Sequence, residues 1–204
     1  KMHRVDGIHF KAAVFTNLGE DHIGPGEHAD FEEYLYYKTR LLNMCGIGLV
    51  NKDDEHAPQI IKAANCELYT YSEKGKEADF TASDIRYVSQ PDFVGTEFHI
   101  SGKYDMEVRL GIPGLFNVVN ALAAVSVCSF LGLDQARISH ALENIRVNGR
   151  MEIVYTSERC TVLVDYAHNA VSMESLLSTL RDYKPKRLVC VFGCGGNRSK
   201  DRRY

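Results

Sequence analysis

The stretch FTNLGEDHIGPGEHADFEEYLYYKTRLL, residues 15–42, runs from the end of an apolar strand through a polar loop into an amphipathic helix, and its reading decides the fold. Counted from Phe31, the apolar residues Phe31, Tyr34, Leu35, Leu41 and Leu42 recur at the spacing of one helical face. Lys38 occupies the middle of that stripe. Asp30 stands where an N-cap belongs and Glu33 where a capping-box carboxylate would sit, so a helix is expected over 30–44. Before it, AAVFTN (12–17) reads as a short strand; after it, GIGLVN (46–51) reads as a second strand and residues 57–64 as a second helix. Strand and helix signals in alternation argue an α/β fold, a mainly parallel sheet with helices on both faces.

Outward from this unit, the pattern changes. CELYTYS, DIRYVSQ, TEFHISG and YDMEVRL, between residues 66 and 110, are β-rich segments separated by turn residues, expected as antiparallel strands added at one edge of the first sheet. Two helices are expected over 115–131 and 134–145, followed by the turn VNGR at 147–150, which is read as a domain boundary: 1–148, then 149–204. Beyond it, CTVLVDYAHN, a helix over about 171–183 and RLVCVFGCGGN form one expected strand-helix-strand unit of the Rossmann-like kind, whose ligands collect at the carboxyl ends of the strands.

Composition narrows the class. A 204-residue chain with 45% hydrophobic and 25% charged residues buries a sizeable core. The formal charge of -3 gives no electrostatic case for nucleic acid or for an anionic membrane, and the one basic cluster, Arg198, Lys200, Arg202 and Arg203, reads as a solvated tail. Six scattered cysteines without a CxxC pair are expected as reduced thiols in a cytoplasmic protein, and Cys190 with Cys194 lacks the second pair a structural zinc site needs. No secretion signal opens the chain. The uncharged run 111–133 starts with Gly-Ile-Pro-Gly, leaving a helix shorter than the roughly 20 apolar residues of a membrane span, and is expected as a core helix.

Several residues are candidates for chemistry. A lysine in an apolar stripe has its charged form disfavoured, making a neutral, nucleophilic amine accessible; carbon dioxide would add to it as a carbamate, an oxygen ligand for Mg²⁺. The alternative is that Lys38 lies along the stripe with its head in water. His22, after Asn17 and Asp21 at a strand end, is a candidate metal or substrate contact or a hydrogen-bonded surface residue, while Glu27 and His28 are expected as solvated loop residues. Asn117 and Asn120, one turn apart at the start of an apolar helix, suit a heterocycle such as adenine, or else a cap and a satisfied buried amide. Asp165 and His168 end a strand, where a carboxylate would hold ribose hydroxyls and an imidazole would lie near phosphate; Arg150 in the boundary turn would reach a phosphate. All three are also ordinary turn or linker residues. A metal hydrolase built on Asp21, His22 and His28 lacks any familiar ligand spacing.

In order along the chain, VFTNLGEDH, YLYYKTRLL, GLFNVVNALAA, GRMEIV, VLVDYAHN and LVCVFGCGGNRSKDRR resemble the Mur ligase family, most closely its MurE branch. The resemblance implies an ATP-dependent amide ligase that phosphorylates the D-glutamyl carboxylate of UDP-MurNAc-L-Ala-D-Glu and joins it to a diamino acid, meso-diaminopimelate or L-lysine. It also implies Mg²⁺ held by a carbamylated Lys38 and His22, adenine contact by Asn117 and Asn120, and ribose contact by Asp165. Arg150 would contact phosphate, His168 would neighbour the nucleotide, and Arg4 in HRV would contact the UDP-MurNAc-peptide. The family's GxxGKT P-loop is not present in this sequence, and Asn148 and Asn169 replace its usual Pro and Thr. The chain is therefore expected to be a central-domain segment plus the start of a C-terminal domain, inactive alone. The alternatives are another Mur-like amide ligase, of the cyanophycin-synthetase or folylpolyglutamate-synthase type, or a non-catalytic binding module.

Overall fold

A computed structural model describes residues 5–19, 23–24, 27–168 and 170–193, with backbone only at 170 and 171. By its contacts the chain forms two compact units, one from residues up to 83 with 99–106 and 119–138, the other from 84–98, 107–118 and 139 onward. A six-stranded mixed sheet has the order β1 (Phe10–Phe15), β2 (Cys45–Asn51), β3 (Glu67–Ser72), β4 (Phe80–Ser89), β5 (Val94–Gly102), β6 (Met106–Leu110). A two-stranded antiparallel sheet follows, β7 (Glu152–Thr156) with β8 (Thr161–Val164). The helices are α1 (Phe31–Thr39), α2 (Ala57–Ala63), α3 (Leu115–Phe130), α4 (Gln135–Asn144) and α5 (Ala170–Asp182).

In the first unit, β1, β2 and β3 run parallel, with Phe15 opposite Val50 and Asn51 opposite Tyr71. The alternating pattern of CELYTYS suggested an antiparallel edge strand, and this is corrected: β3 pairs parallel with β2, and β4 parallel with β3. Helix α2 carries the chain back between β2 and β3, which makes the pairing parallel. From β3 to β4 there is no return: the end of one lies beside the start of the next, Tyr71 opposite Phe80 and Ser72 opposite Thr81. Asp79 secures this step, accepting hydrogen bonds from the Thr70 backbone N–H (2.8 Å) and hydroxyl (3.0 Å). The tight turn after β4 is closed by two backbone bonds between Gln90 and Phe93.

Helix α1 begins as its sequence dictates. Asp30 Oδ1 accepts from Glu33 N at 2.8 Å, and Glu33 Oε2 returns to accept from Ala29 N at 2.7 Å. The α-helix ends at Thr39 and tightens into a 3₁₀ turn over Arg40–Asn43. Tyr34, Leu35, Thr39 and Leu42 are buried on one side, packed with Phe15, Leu18, Val50 and Ile60 into the first unit's core. Burial also pushes the thiol of Cys45 up to about 11, an effect reinforced by its hydrogen bond with Cys66.

The second unit contains the expected helix of the terminal segment, α5, but not the expected strand after it. Residues 187–193 pair with no strand among the described residues, and Val189, Val191 and Phe192 lie exposed, Val191 at 95%. β8 has β7 as its ladder partner, and among the described residues the segment 187–193 adds no strand to it. Just after α5, the Tyr183 hydroxyl donates to Gly95 O (3.0 Å), accepts from Gly114 N–H (3.2 Å) and lies 3.1 Å from Thr96 Oγ1. Burial raises the phenol's pKa, so it keeps the proton it donates.

Two outcomes follow from these contacts. Tyr183→Phe leaves the Gly114 and Thr96 groups without their partner and is expected to lower stability by roughly 1–3 kcal/mol in urea unfolding. Alkylation at pH 8 followed by peptide mapping is expected to label the exposed Cys160 and Cys190 well before the buried Cys45.

Candidate functional site

Beyond Phe15 the first strand has no ladder, yet its backbone is held closely. The Tyr71 hydroxyl donates to Phe15 O at 3.0 Å, Asn51 Nδ2 donates to Thr16 O at 2.8 Å, and Leu18 N–H donates to Asp54 Oδ2 at 2.9 Å. Tyr71 is 0% exposed and Asn51 6%. Burial, then the nearby charges of Asp53 and Asp54, raise the Tyr71 pKa, so this hydroxyl remains a donor at any physiological pH. Asn51 Oδ1 in turn accepts from Asp53 N (3.0 Å). Asp54 Oδ1 accepts from His56 N (2.9 Å) and stands 3.1 Å from His56 Nδ1. Asp53 accepts from the Ser72 hydroxyl and Glu73 N, both at 2.7 Å. The ends of β1, β2 and β3 are thus joined through polar side chains.

Lys38 lies on α1, one turn beyond Tyr34. It is exposed, with Nζ 5.2 Å from the centroid of the Tyr34 ring. Of the two readings open to Lys38, the structure shows the head in water; Thr39 takes the buried place, its hydroxyl donating to Leu35 O at 2.9 Å. The four-carbon stem of a lysine lets its head reach water from an apolar face. His28, expected in solvent, is instead packed between Tyr34 and Tyr37 at centroid distances of 5.1 and 5.6 Å. Its Nδ1 is buried without a hydrogen bond, 3.6 Å from Glu33 Oε2. Its aromatic neighbours on α1 are close, so the imidazole covers apolar surface. His22, Asp21 and Arg4 lie outside the described residues.

On α3, Asn117 Nδ2 donates to Pro113 O at 2.7 Å, and Asn120, one turn on, is exposed. Gly114, with φ +107, starts the helix in a conformation that disfavours a side chain.

In the second unit the structure brings together the three residues expected around the 149–168 segment. Asp165 anchors it: Oδ2 accepts from Met151 N (2.8 Å) and Oδ1 from Ala167 N (2.7 Å). Each oxygen keeps a second lone pair for a hydroxyl donor. The Arg150 guanidinium lies 4.7 Å above the Tyr166 ring, and the other neighbour of that ring is His168, at 5.0 Å between centroids. His168 Nδ1 is 2.9 Å from Tyr166 O, and its backbone N–H donates to Ser172 Oγ (3.2 Å). A cation stacked on an exposed aromatic ring is held in place while its N–H groups remain able to meet an anion.

Four participants were missed by sequence reasoning. Tyr166 sits inside the quoted VDYAHN, but an aromatic between two polar candidates carried no periodic signal. Asn51, Asp54 and Tyr71 act on residues 35, 36 and 56 positions away, and only the polar cluster NKDDEH after an apolar strand hinted at them. Among the described residues no group of three or more His, Cys, Asp or Glu side chains is placed to hold a metal ion. An ammonium is not a metal ligand, so Lys38 would fit one only as a carbamate; its exposed amine is open to carbon dioxide. No helix among the described residues is long and apolar enough to cross a membrane.

Parallel strands β1 to β3 with polar side chains gathered at their ends define an α/β class of protein, in which ligands collect at the carboxyl ends of the strands. Within that class the chain belongs to the Mur ligase family: residues 1–128 match the Mur ligase middle domain and residues 149–204 the Mur ligase glutamate ligase domain. It is 40% identical over 202 residues to UDP-N-acetylmuramoyl-L-alanyl-D-glutamate–2,6-diaminopimelate ligase 2 of Clostridium acetobutylicum, covering 98% of this chain and 41% of that protein. It is 35% identical over 208 residues to the corresponding ligase of Caldanaerobacter subterraneus, covering 99% of this chain and 41% of that one. A solved structure of a UDP-N-acetylmuramoyl-L-alanyl-D-glutamate–2,6-diaminopimelate ligase superposes with a TM-score of 0.77 at 31% identity, over 98% of this chain and 41% of its own. The chain thus spans about two fifths of the length of these relatives.

Replacing Asp165 with Asn sets an N–H₂ against one of two backbone donors. Asp165→Asn is expected to cost roughly 1–3 kcal/mol in urea unfolding and to speed amide exchange at Met151 or Ala167.

Proposed function

We propose that this chain is part of an ATP-dependent amide ligase that adds a diamino acid to UDP-MurNAc-L-Ala-D-Glu in peptidoglycan precursor synthesis. The observation that carries the reading is identity to diaminopimelate-adding ligases along nearly the whole chain, 40% in one case. The same names favour meso-diaminopimelate over L-lysine as the amine. Residues 1–148 would belong to the ATP-binding middle domain and 149–204 to the start of the C-terminal domain.

In this reading a D-glutamyl carboxylate oxygen attacks the γ-phosphorus of ATP, and the bond to the ADP oxygen breaks. The amine nitrogen of diaminopimelate then attacks the acyl carbon, phosphate leaves with the bonding pair, and the nitrogen gives up a proton. Asn117 and Asn120 would meet the adenine, whose edge offers both donor and acceptor. Asp165 would take the ribose hydroxyls through its remaining lone pairs, and Arg150, stacked on Tyr166, would meet phosphate oxygens beside His168. Arg4 would contact the UDP-MurNAc-peptide. Lys38 as its carbamate and His22 would hold Mg²⁺, which when bound offsets the charge of the transferred phosphoryl group. Support for the carbamate comes from family membership and from the accessibility of the Lys38 amine, not from burial. The proposed setting is cytoplasmic, with no nucleic-acid or membrane partner. The chain alone is proposed to be inactive.

The test is a ligation assay on the full-length protein with ATP, UDP-MurNAc-L-Ala-D-Glu and either amine. The expected result is ADP, phosphate and tripeptide product in equal amounts, with diaminopimelate preferred over lysine. Lys38→Arg retains the charge but cannot form a stable carbamate, and kcat is expected to fall by about a hundredfold, the scale for removing one transition-state contact. Absence of ligation would overturn the reading, and full activity in Lys38→Arg would overturn the role of the lysine.

A further inference from the structure

We infer that Asn51, Asp54 and Tyr71 are positioning residues that fix residues 15–18, where the chain leaves β1, and through His56 the start of the helix that bears Lys38. The inference rests on the proposed role of Lys38. Three backbone groups within four residues, Phe15 O, Thr16 O and Leu18 N–H, are each engaged by a different side chain from β2, β3 or the turn after β2. All three side chains are nearly inaccessible: Tyr71 is 0% exposed, Asn51 6%, and the Asp54 side chain 8%.

Water would satisfy these backbone groups at little cost if the segment were an ordinary surface loop. Placing buried polar side chains there requires each of them to be fully partnered, since an unpartnered one is destabilising. The structure meets that requirement with a second tier. Asn51 is oriented by Asp53 N, and Asp54 by the backbone and ring of His56. The His56 ring in turn lies 4.9 Å from Phe31, the first residue of the helix that bears Lys38. The same bracket therefore touches both the strand-end segment and the start of α1. Groups that must meet a reacting centre need placement within a fraction of an ångström, supplied by side chains whose own rotamers are locked. This bracket has that construction.

The test pairs amide hydrogen exchange on this chain with kinetics on the full-length protein, for Asn51→Ala, Asp54→Asn and Tyr71→Phe. Tyr71→Phe removes only the hydroxyl and keeps the ring in the core, which guards against a simple folding failure. Each variant is expected to speed exchange at Leu18 at least about tenfold while the β2 amides of Leu49 and Val50 stay unchanged. In the ligation assay kcat is expected to fall at least about tenfold with KM for ATP within about twofold. Uniform acceleration across β1 to β3, or unchanged kcat despite faster exchange at Leu18, would overturn the positioning role. If the wild-type protein ligates nothing, the functional reading fails on its own. The exchange arm still judges the bracket, which is overturned if Leu18 is no less protected in the variants.

Discussion

The structure turns on how the first three parallel strands end together. The strand register sets Phe15 beside Val50 and Asn51 beside Tyr71, so the chain leaving β1 passes directly over polar groups supplied by its neighbours. A strand that stops must find partners for the peptide groups beyond its ladder, and here Tyr71, Asn51 and Asp54 provide them. The apolar residues on either side, Phe15 and Leu18, are then fixed in the same core as Leu35 and Leu42 of the helical segment. Polar satisfaction and core packing impose one backbone path between them.

The second unit applies the same logic to a different segment. Asp165 at the end of β8 gathers the backbone of Met151 and Ala167, and this places Arg150 and His168 against the intervening Tyr166. Met151, fully buried with φ +46, is held in a conformation that non-glycine residues seldom adopt. The anchoring carboxylate and the burial of the methionine side chain together maintain it. In each unit a carboxylate just beyond a strand organises backbone N–H groups next to residues of the proposed site.

Much of the fold was legible because local rules and tertiary packing agree. The Asp30–Glu33 capping box started α1 where the sequence placed it, and α2, α3, α4 and α5 lie close to their expected limits. The mainly parallel sheet was legible, but the direction of β3 and β4 was not. Side-chain alternation in CELYTYS reports half-burial, whereas parallel pairing is imposed by how the chain returns, through α2 before β3 and by a short forward step before β4. RLVCVFG has strand composition, but composition cannot furnish the neighbouring strand that would make it one. At the site, periodicity located the azimuth of Lys38 and not the path of its flexible stem, so it left a buried and an exposed amine both open, and the exposed one is found. The Asp165, Arg150 and His168 neighbourhood was legible because its members lie within nineteen positions of one another. The Asn51–Asp54–Tyr71 bracket was not, because its partners are distant in sequence.

In the proposed ligase site Lys38 acts through its carbamate as an oxygen ligand. The direct measurement is carbon-13 NMR of this chain with labelled bicarbonate at mildly alkaline pH, comparing it with Lys38→Arg. The expected result is a carbamate resonance that is lost in the variant and on acidification. A spectrum identical to that of the variant across this pH range would contradict it, leaving Lys38 as a lysine that only shields the face of Tyr34.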